Sequence, residues 1–534
     1  MAALALPAAV AGRSIIDLVA AQAARRPHAP ALTARAADGS EQRLGYGELL
    51  SRARRLAAGL AGQGIAAGDH VGLMVNNEAG IEAAVTMLAL HGLGAVMVPV
   101  NTRFAADEIV YVLNKARCSG LVVMDGFWPL VETLRPRLAG LRQVIVIGGA
   151  PGTAPVRWQD VFDAASDPGA FPCAVSPDAV SEILFTSGTT AHPKGAVMTH
   201  ARSVASAYGF AEAMSLGDDD VYQSFFPFFT TAGLHCLLLP SWWAGAHAVL
   251  DPAFDLPEII ARMQRERATK YIGAPAFYIF LLDAFDPARH DLSAVRLFDY
   301  GGASMSVEVI RRLAQVFPHV ELRQTYGMTE SGPAGTVMRG DHGPARIASV
   351  GRPWPLTEVR IVGEDGAPLP TGAAGEIAIR APSVMREYFD EPELTAKTLR
   401  DGWLMTGDIG YLDADGFLFH VDRKKDMIIR GGHNIGSLEV EEALFAHPAV
   451  VEAAVVAVPH AKLGEDIHAF VVARPGQPVD AAALQAFCRD KLADYKIPRR
   501  FTFTDTLPRG PMGKVLKADL RRQAIQSIQG SSAP

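Results

Sequence analysis

The chain has 534 residues, 49% of them hydrophobic and 20% charged, with a formal net charge of −7. That length exceeds one ordinary domain and can bury sizeable cores. The acidic balance excludes nucleic acid as a main partner, because phosphate binding needs an excess of Lys and Arg. Four scattered cysteines, Cys118, Cys173, Cys236 and Cys488, suit a reduced cytosol rather than a disulfide framework, and none stands at zinc-site spacing with histidines. The apolar, Ala-rich stretch Met1 to Val10 has no basic leader and is far too short to cross a bilayer. A cytoplasmic protein with no integral membrane segment is expected.

In chain order, an amphipathic helix is predicted near Tyr46 to Ala61, its apolar stripe (Leu49, Ala53, Leu56, Leu60) flanked by Arg52, Arg54 and Arg55 on a solvated face. Strand-like His70 to Val75 follows, then a helix through Ile81 to His91 and apolar runs at Ala95 to Val100, Leu121 to Met124 and Val144 to Ile147. Short β-branched runs alternating with helices predict a mostly parallel sheet covered on both faces. After a Pro/Gly/Asp-rich connection, Pro151 to Pro177, the alternation resumes at Ile183 to Phe185, Ala246 to Leu250, Lys270 to Gly273, Leu297 to Tyr300 and Glu321 to Thr325. This reads as one large α/β region with more than one sheet, ending near residue 420. A charged, then glycine-rich crossing over residues 423–434 leads into a unit of helix, strand, strand and helix from Glu439 through Ile467 to Leu492. The Ser/Gly/Pro-rich tail, Gln529 to Pro534, predicts disorder.

The segment Phe185-Thr186-Ser187-Gly188-Thr189-Thr190-Ala191-His192-Pro193-Lys194-Gly195 runs an apolar strand into small hydroxyl residues and glycines and ends on a lysine. Backbone N–H groups and hydroxyls of such a loop can wrap phosphate oxygens while Lys194 adds charge. Gly195 stands where a Walker A loop needs Ser or Thr. Taken alone, the segment also suits a polar surface turn.

The segment resembles the phosphate loop of the adenylate-forming superfamily, which holds acyl-CoA synthetases, luciferases and nonribosomal adenylation domains. The resemblance recurs in order along nearly the whole chain. Gly301-Gly302-Ala303 is similar to the turn that walls adenine, and Gln324-Thr325-Tyr326-Gly327-Met328-Thr329-Glu330 to the second nucleotide signature. Asp408, in Thr406-Gly407-Asp408, corresponds to the ribose-binding aspartate, and Arg423 to the ribose arginine. The resemblance implies that Tyr326 stacks on adenine, Thr329 bonds the α-phosphate, Glu330 holds Mg²⁺ with its hard carboxylate oxygen, and Lys514 is the catalytic cation. It also implies a large N-terminal multi-sheet α/β domain, residues 1–424, and a small mobile α+β domain, residues 425–534, turning about Lys425. After rotation, Arg430, Gly431 and Gly432 would line the CoA tunnel. The implied activity uses ATP, Mg²⁺ and coenzyme A to convert a carboxylic acid to an acyl-adenylate and then a thioester.

The acyl pocket, by the same resemblance, involves Phe228, Phe229, Thr230, Gly233, Phe277, Tyr300, Gly301 and Gly332. Its aromatic density predicts an apolar acid, fatty or aromatic, and equally suits plain core. Two positions depart from the family pattern: Ala191 replaces a phosphate-loop glycine, and Thr230 replaces a gating histidine. Loading of a carrier protein is the rival activity, yet no aspartate in Phe228-Phe229-Thr230 awaits a substrate amine. A non-catalytic adenylate binder is disfavoured because Glu330, Asp408 and Lys514 are all present; a luciferase-like oxygenase would need a special substrate. A homodimer stays open.

Overall fold

A computed structural model describes residues 6–150, 152, 155–186, 192–303, 305–340, 346–460, 462–510 and 515–530, with the side chains of residues 529 and 530 not described. Two large sheets face each other. In the first, parallel strands Glu321–Gly327, Leu297–Gly301, Lys270–Gly273, Val221–Ser224, His247–Leu250 and Pro30–Arg35 lie side by side. Antiparallel strands flank them at both edges, Gly335–Arg339 with Arg352–Pro353 on one side and Glu41–Gly45 on the other.

The second sheet has the order Glu387–Tyr388, Lys194–Thr199, Val180–Thr186, Val96–Pro99, His70–Met74, Gly120–Met124, Gln143–Ile147. Helices Tyr46–Gly62, Gly80–Leu93 and His200–Ala213 contribute the buried side chains that join the sheets into the largest apolar core. Helix Gly80–Leu93 is buried throughout, as a helix enclosed on all sides must be. Its Asn77 neighbour donates to the carbonyls of Phe226 and Asp251 and accepts from Phe228 N, pinning one sheet's loops to the other's.

The alternation expected from the sequence is present, with ends moved by one to three residues. Three features differ. Arg54 binds Asp167 and the Gly169 carbonyl, and Arg55 binds the Ala165 and Asp163 carbonyls, so these arginines tie down the Pro/Gly/Asp-rich connection rather than facing solvent alone. An antiparallel sheet of Glu358–Val362, Gly375–Arg380, Trp403–Leu412, Leu399–Arg400 and Leu418–Arg423 closes the large unit. Helix Lys517–Gly530 runs two residues into the tail expected to be disordered; residues 531–534 lie outside the described ones.

Beyond Arg423 the pairing changes sheet. Ile428–Arg430, His433–Ile435, Val450–His460, Gly464–Ala473 and Arg500–Phe503 form a separate five-stranded sheet. Helices Ser437–Phe445 and Ala481–Arg489 cover one face, with Leu444, Leu484 and Cys488 inside, and Lys517–Gly530 covers the other. No helix among the described residues is long and apolar enough to cross a membrane.

Candidate active site

The strand Val180–Thr186 delivers Thr186 to the C-terminal edge of its sheet, where Lys194 opens the returning strand opposite it. Ser187, Gly188, Thr189, Thr190 and Ala191 lie outside the described residues. Lys194 Nζ stands 5.7 Å over the Tyr388 ring, a cation–π contact. The Tyr388 hydroxyl donates to Glu330 Oε1 at 2.8 Å, and Thr186 Oγ1 approaches the same oxygen at 3.4 Å. Burial and the Glu330 carboxylate push the Tyr388 hydroxyl far above the ordinary phenol range, so it remains a donor.

Glu330 sits on a short turn, Thr329–Ser331, that follows strand Glu321–Gly327. Gly332 ends that turn at φ +63°, and a Cβ there would meet the Ser383 carbonyl at 2.3 Å, so only glycine fits. Thr329 Oγ1 lies 2.7 Å from Thr231 Oγ1. One hydroxyl pair thereby joins the second nucleotide signature to the loop entering the acyl pocket.

On the other side, the Tyr326 hydroxyl donates to Asp408 Oδ2 at 2.8 Å. Asp408 pairs in register with Arg423, whose Nε lies 3.5 Å from Oδ1; His420 Nε2 is 4.0 Å from the same oxygen. One carboxylate therefore meets a phenol, a guanidinium and an imidazole, and Oδ1 faces the half-exposed Arg423. Burial lowers the His420 pKa, keeping that ring neutral beside the aspartate. The Gly301-Gly302-Ala303 turn lies beside Thr325, with Gly302 at φ +77° and Ala303 exposed. Gln324 is buried on the opposite face of its strand from Thr325, Gly327 closes under the Pro333 carbonyl, and Met328 packs against the main core.

The aromatic residues expected at the acyl pocket are buried. Phe228 and Phe277 are each 1% exposed; Phe277 stacks on Tyr271 at 4.3 Å, and Phe228 fills the inter-sheet core. Tyr300 is also buried on the Phe277 side of its sheet. These aromatic rings are core, drawn in by their own apolar area. Phe229 and Thr230 lead into a π-helix, Ala232–Leu238, with Gly233 tucked against the Pro227 carbonyl. The Thr230 hydroxyl donates to the Pro227 carbonyl at 2.6 Å and accepts from Gly233 N at 3.1 Å. Where the family pattern has a gating histidine, this threonine is folded into a turn.

Lys514 lies outside the described residues, but the loop bearing it is closed by a bridge between Arg509 and Val515. The Arg430 guanidinium is turned inward, ion-paired to Asp466 at 2.9 Å and donating to the Tyr495 and Ile497 carbonyls. The exposed part of the expected CoA-lining stretch is therefore the Gly431-Gly432 turn, both residues at positive φ. Lys425 follows Lys424, whose backbone N–H is held by the Gly407 carbonyl. Tyr388 escaped the sequence reading because nothing local marks a tyrosine 58 residues from the carboxylate it serves.

A polar cavity of about 500 Å³ opens at the opposite end of the first sheet, between Lys270, Arg296, Arg323, Asp219, Asp220 and Glu321. Lys270 is already bound by Asp220 and by two carbonyls, Arg296 by Asp219 and Asp220, and Arg323 by Glu321. It is a self-neutralised salt-bridge network at the N-terminal ends of these strands.

A two-part chain with a hydroxyl- and carboxylate-lined nucleotide cleft at the C-terminal ends of parallel strands defines a nucleotide-dependent transferase or ligase. The comparisons specify which. Residues 19–389 match the AMP-binding enzyme family, and residues 439–514 match the AMP-binding enzyme C-terminal domain. The chain is 37% identical over 502 residues (91% of it, 95% of the relative) to a Rhodococcus jostii CoA ligase for a propanoate borne on a methylated dioxo-octahydroindene. It is 36% identical over 482 residues (90% and 94%) to a feruloyl-CoA synthase from an Amycolatopsis species. The structure of the anthranilate CoA ligase AuaEII with anthranoyl-AMP aligns over 99% of this chain and 100% of that one, with TM-score 0.89 and 26% identity. The chain belongs to the AMP-binding enzyme family and is an acid:CoA ligase that adenylates a carboxylic acid with ATP and passes the acyl group to CoA.

Proposed function

We propose that the acid is apolar and compact, its body a ring or a short chain, and that the residues brought together above carry out the two half-reactions. The observation behind the substrate reading is the packing of Phe228, Phe277 and Tyr300. All three are buried, Phe228 shortly before the π-helix and Tyr300 just before Gly301, which favours a compact acyl group over a long one. The relatives named above act on ring-bearing acids, which supports the same reading.

In this scheme Thr186, Lys194 and the loop between them hold the β- and γ-phosphates. Thr329 and Thr231 orient the α-phosphate and carboxylate, and Asp408 with Arg423 holds the ribose. Gly302, Ala303 and Tyr326 bound the adenine. Mg²⁺ fits at Glu330: its Oε1 is occupied by the Tyr388 and Thr186 hydroxyls, which directs Oε2 outward as a hard-oxygen ligand. The ion would screen phosphate charge there. Lys514 would stabilise the charge gathering on carboxylate and α-phosphate during attack, which releases pyrophosphate. Residues 425–534 then turn about Lys425 so that the Gly431-Gly432 turn admits CoA; its sulfur attacks the acyl carbonyl and AMP departs.

The test is to incubate the protein with ATP, Mg²⁺ and CoA against a panel of ring-bearing, short-chain and long-chain acids, measuring AMP and acyl-CoA. Ring-bearing and short acids should show the highest kcat/KM. A preference for long linear acids would overturn the compact-pocket reading.

A further inference from the structure

Asp299 is fully buried, one pleat below Gly301 on strand Leu297–Gly301. Side chains two residues apart share a face and lie about 7 Å apart along a strand. Asp299 therefore points from the same face as the pocket wall at Gly301, deeper toward the core. Thr325 Oγ1, which sits 2.5 Å from where a Gly301 Cβ would be, donates to Asp299 Oδ1 at 3.1 Å. Asp299 Oδ2 has no hydrogen-bond partner among the described residues.

Neither has the hydroxyl of Tyr222, fully buried on strand Val221–Ser224, two strands away in the same sheet. Register along the intervening Lys270–Gly273 strand puts Tyr222 level with Leu297 and on the Asp299 face. Cys236 lies on the π-helix, and the Asp299 charge raises the pKa of both Cys236 and Tyr222 beyond what burial alone does, in keeping with the shared sheet face of Tyr222 and Asp299. A buried carboxyl oxygen and a buried phenol left unpaired each cost free energy that a ligand's polar atom would recover. A fold of this kind would otherwise fill the site with apolar side chains, as it does with Phe277 on the other face.

We propose that Asp299 and Tyr222 form a polar floor to the acyl pocket that recognises an uncharged oxygen function, a hydroxyl or a ketone, at the end of the acid remote from its carboxylate. This rests on the compact-acid reading above. Burial pushes the Asp299 carboxyl up to about 7, so near neutrality it can donate to a ketone in its protonated form and accept from a hydroxyl in its ionised one. Arg323, level with Asp299 on the neighbouring strand, is the charged group that faces it and partly offsets the effect of burial.

The experiment compares matched acids by kcat/KM: para-hydroxyphenylpropanoate against phenylpropanoate, and cyclohexylpropanoate with and without a ketone opposite the chain. The native enzyme should prefer at least one oxygenated partner by roughly tenfold to a hundredfold. Asp299→Leu should reverse the preference, and Tyr222→Phe, a change of one atom that keeps the fold, should reduce it. A ketone preference should fade as pH rises through about 7, and a hydroxyl preference should not. Equal kcat/KM within both pairs, or a preference that survives both substitutions, overturns the polar floor while leaving the ligase reading intact. Absence of AMP formation from every acid overturns the compact-acid reading and this inference with it.

Discussion

The cleft proposed to hold the nucleotide is built from groups whose partners are already in place. Thr329 meets Thr231, Glu330 meets Tyr388, and Asp408 meets Tyr326. Preorganised contacts of this kind cost nothing at the moment of reaction. Lys514 differs: in the proposed mechanism its Pro/Gly-rich segment, Leu507 to Val515, enters the cleft for adenylation only. Lys514→Ala should therefore depress acyl-adenylate formation by about 3 kcal/mol, two to three orders of magnitude in rate. Thioester formation from supplied acyl-AMP should remain largely intact. Measuring pyrophosphate release and thioester production separately checks this, and equal losses in both would refute the assignment. Thr230 shows the reverse situation, a departure from the family pattern that the structure explains. A threonine caps its own turn and leaves no imidazole to move, whereas Ala191 lies outside the described residues.

Two elements meet at a buried carboxylate that no motif announces. Glu182, on the strand leading to the phosphate loop, accepts from Ser203 at 2.6 Å and lies 3.0 Å from His235 Nε2 on the π-helix of the acyl pocket. Histidines 91 and 200 stack edge to face beside it, all within a core that excludes water. Burial, with His91 adjacent, lowers the His200 pKa to about 3, while hydrogen bonding and the surrounding histidines hold Glu182 at about 2 despite its own burial. An unfolded histidine titrates near 6.5, so the unfolded chain takes up a proton at His200 that the native state refuses. Stability should fall as pH drops below about 6.5, at up to about 1.4 kcal/mol per pH unit for this one group, until pH about 3. The Glu182 contribution is lost only below about 4.5. His200→Asn should flatten the melting-temperature slope between pH 6.5 and 4.5; an unchanged slope would show that this histidine does not govern it. The helices and strands around this cluster were legible in the sequence because their periodicities are local. The cluster was not, since Glu182, His235, His91 and His200 are brought together only by the packing of two sheets. The burial of Phe228 and Phe277 was not legible for the same reason: a sequence states that a ring is apolar, and only the packing decides what it faces.

The break between the two parts of the molecule is narrow. Arg423 is the last residue paired to strand Trp403–Leu412, and Ile428 is the first of the small sheet. Lys424 is fixed to the large part through the Gly407 carbonyl, while the Asp426 and Met427 amides turn back onto the Arg423 carbonyl. Any large rotation must therefore be absorbed by the dihedrals around Lys425, as a hinge of very few residues does. Across the break, Ser437 N donates to Asp422 Oδ2 at 2.5 Å; within the small part, Lys517 ties Ser437 to Glu441 at 2.7 Å. The Arg521 guanidinium reaches the Lys425 carbonyl at 3.3 Å. Lys425→Pro fixes φ near −65° and confines Lys424 as well. The expected outcome is a variant that forms acyl-AMP and pyrophosphate at close to the native rate but stalls before CoA transfer, so that acyl-AMP accumulates on the enzyme. Rapid-quench measurement of bound acyl-AMP against acyl-CoA decides it. Native rates for both steps would mean that residues 425–534 need not turn about this position, and that CoA reaches the adenylate by another route.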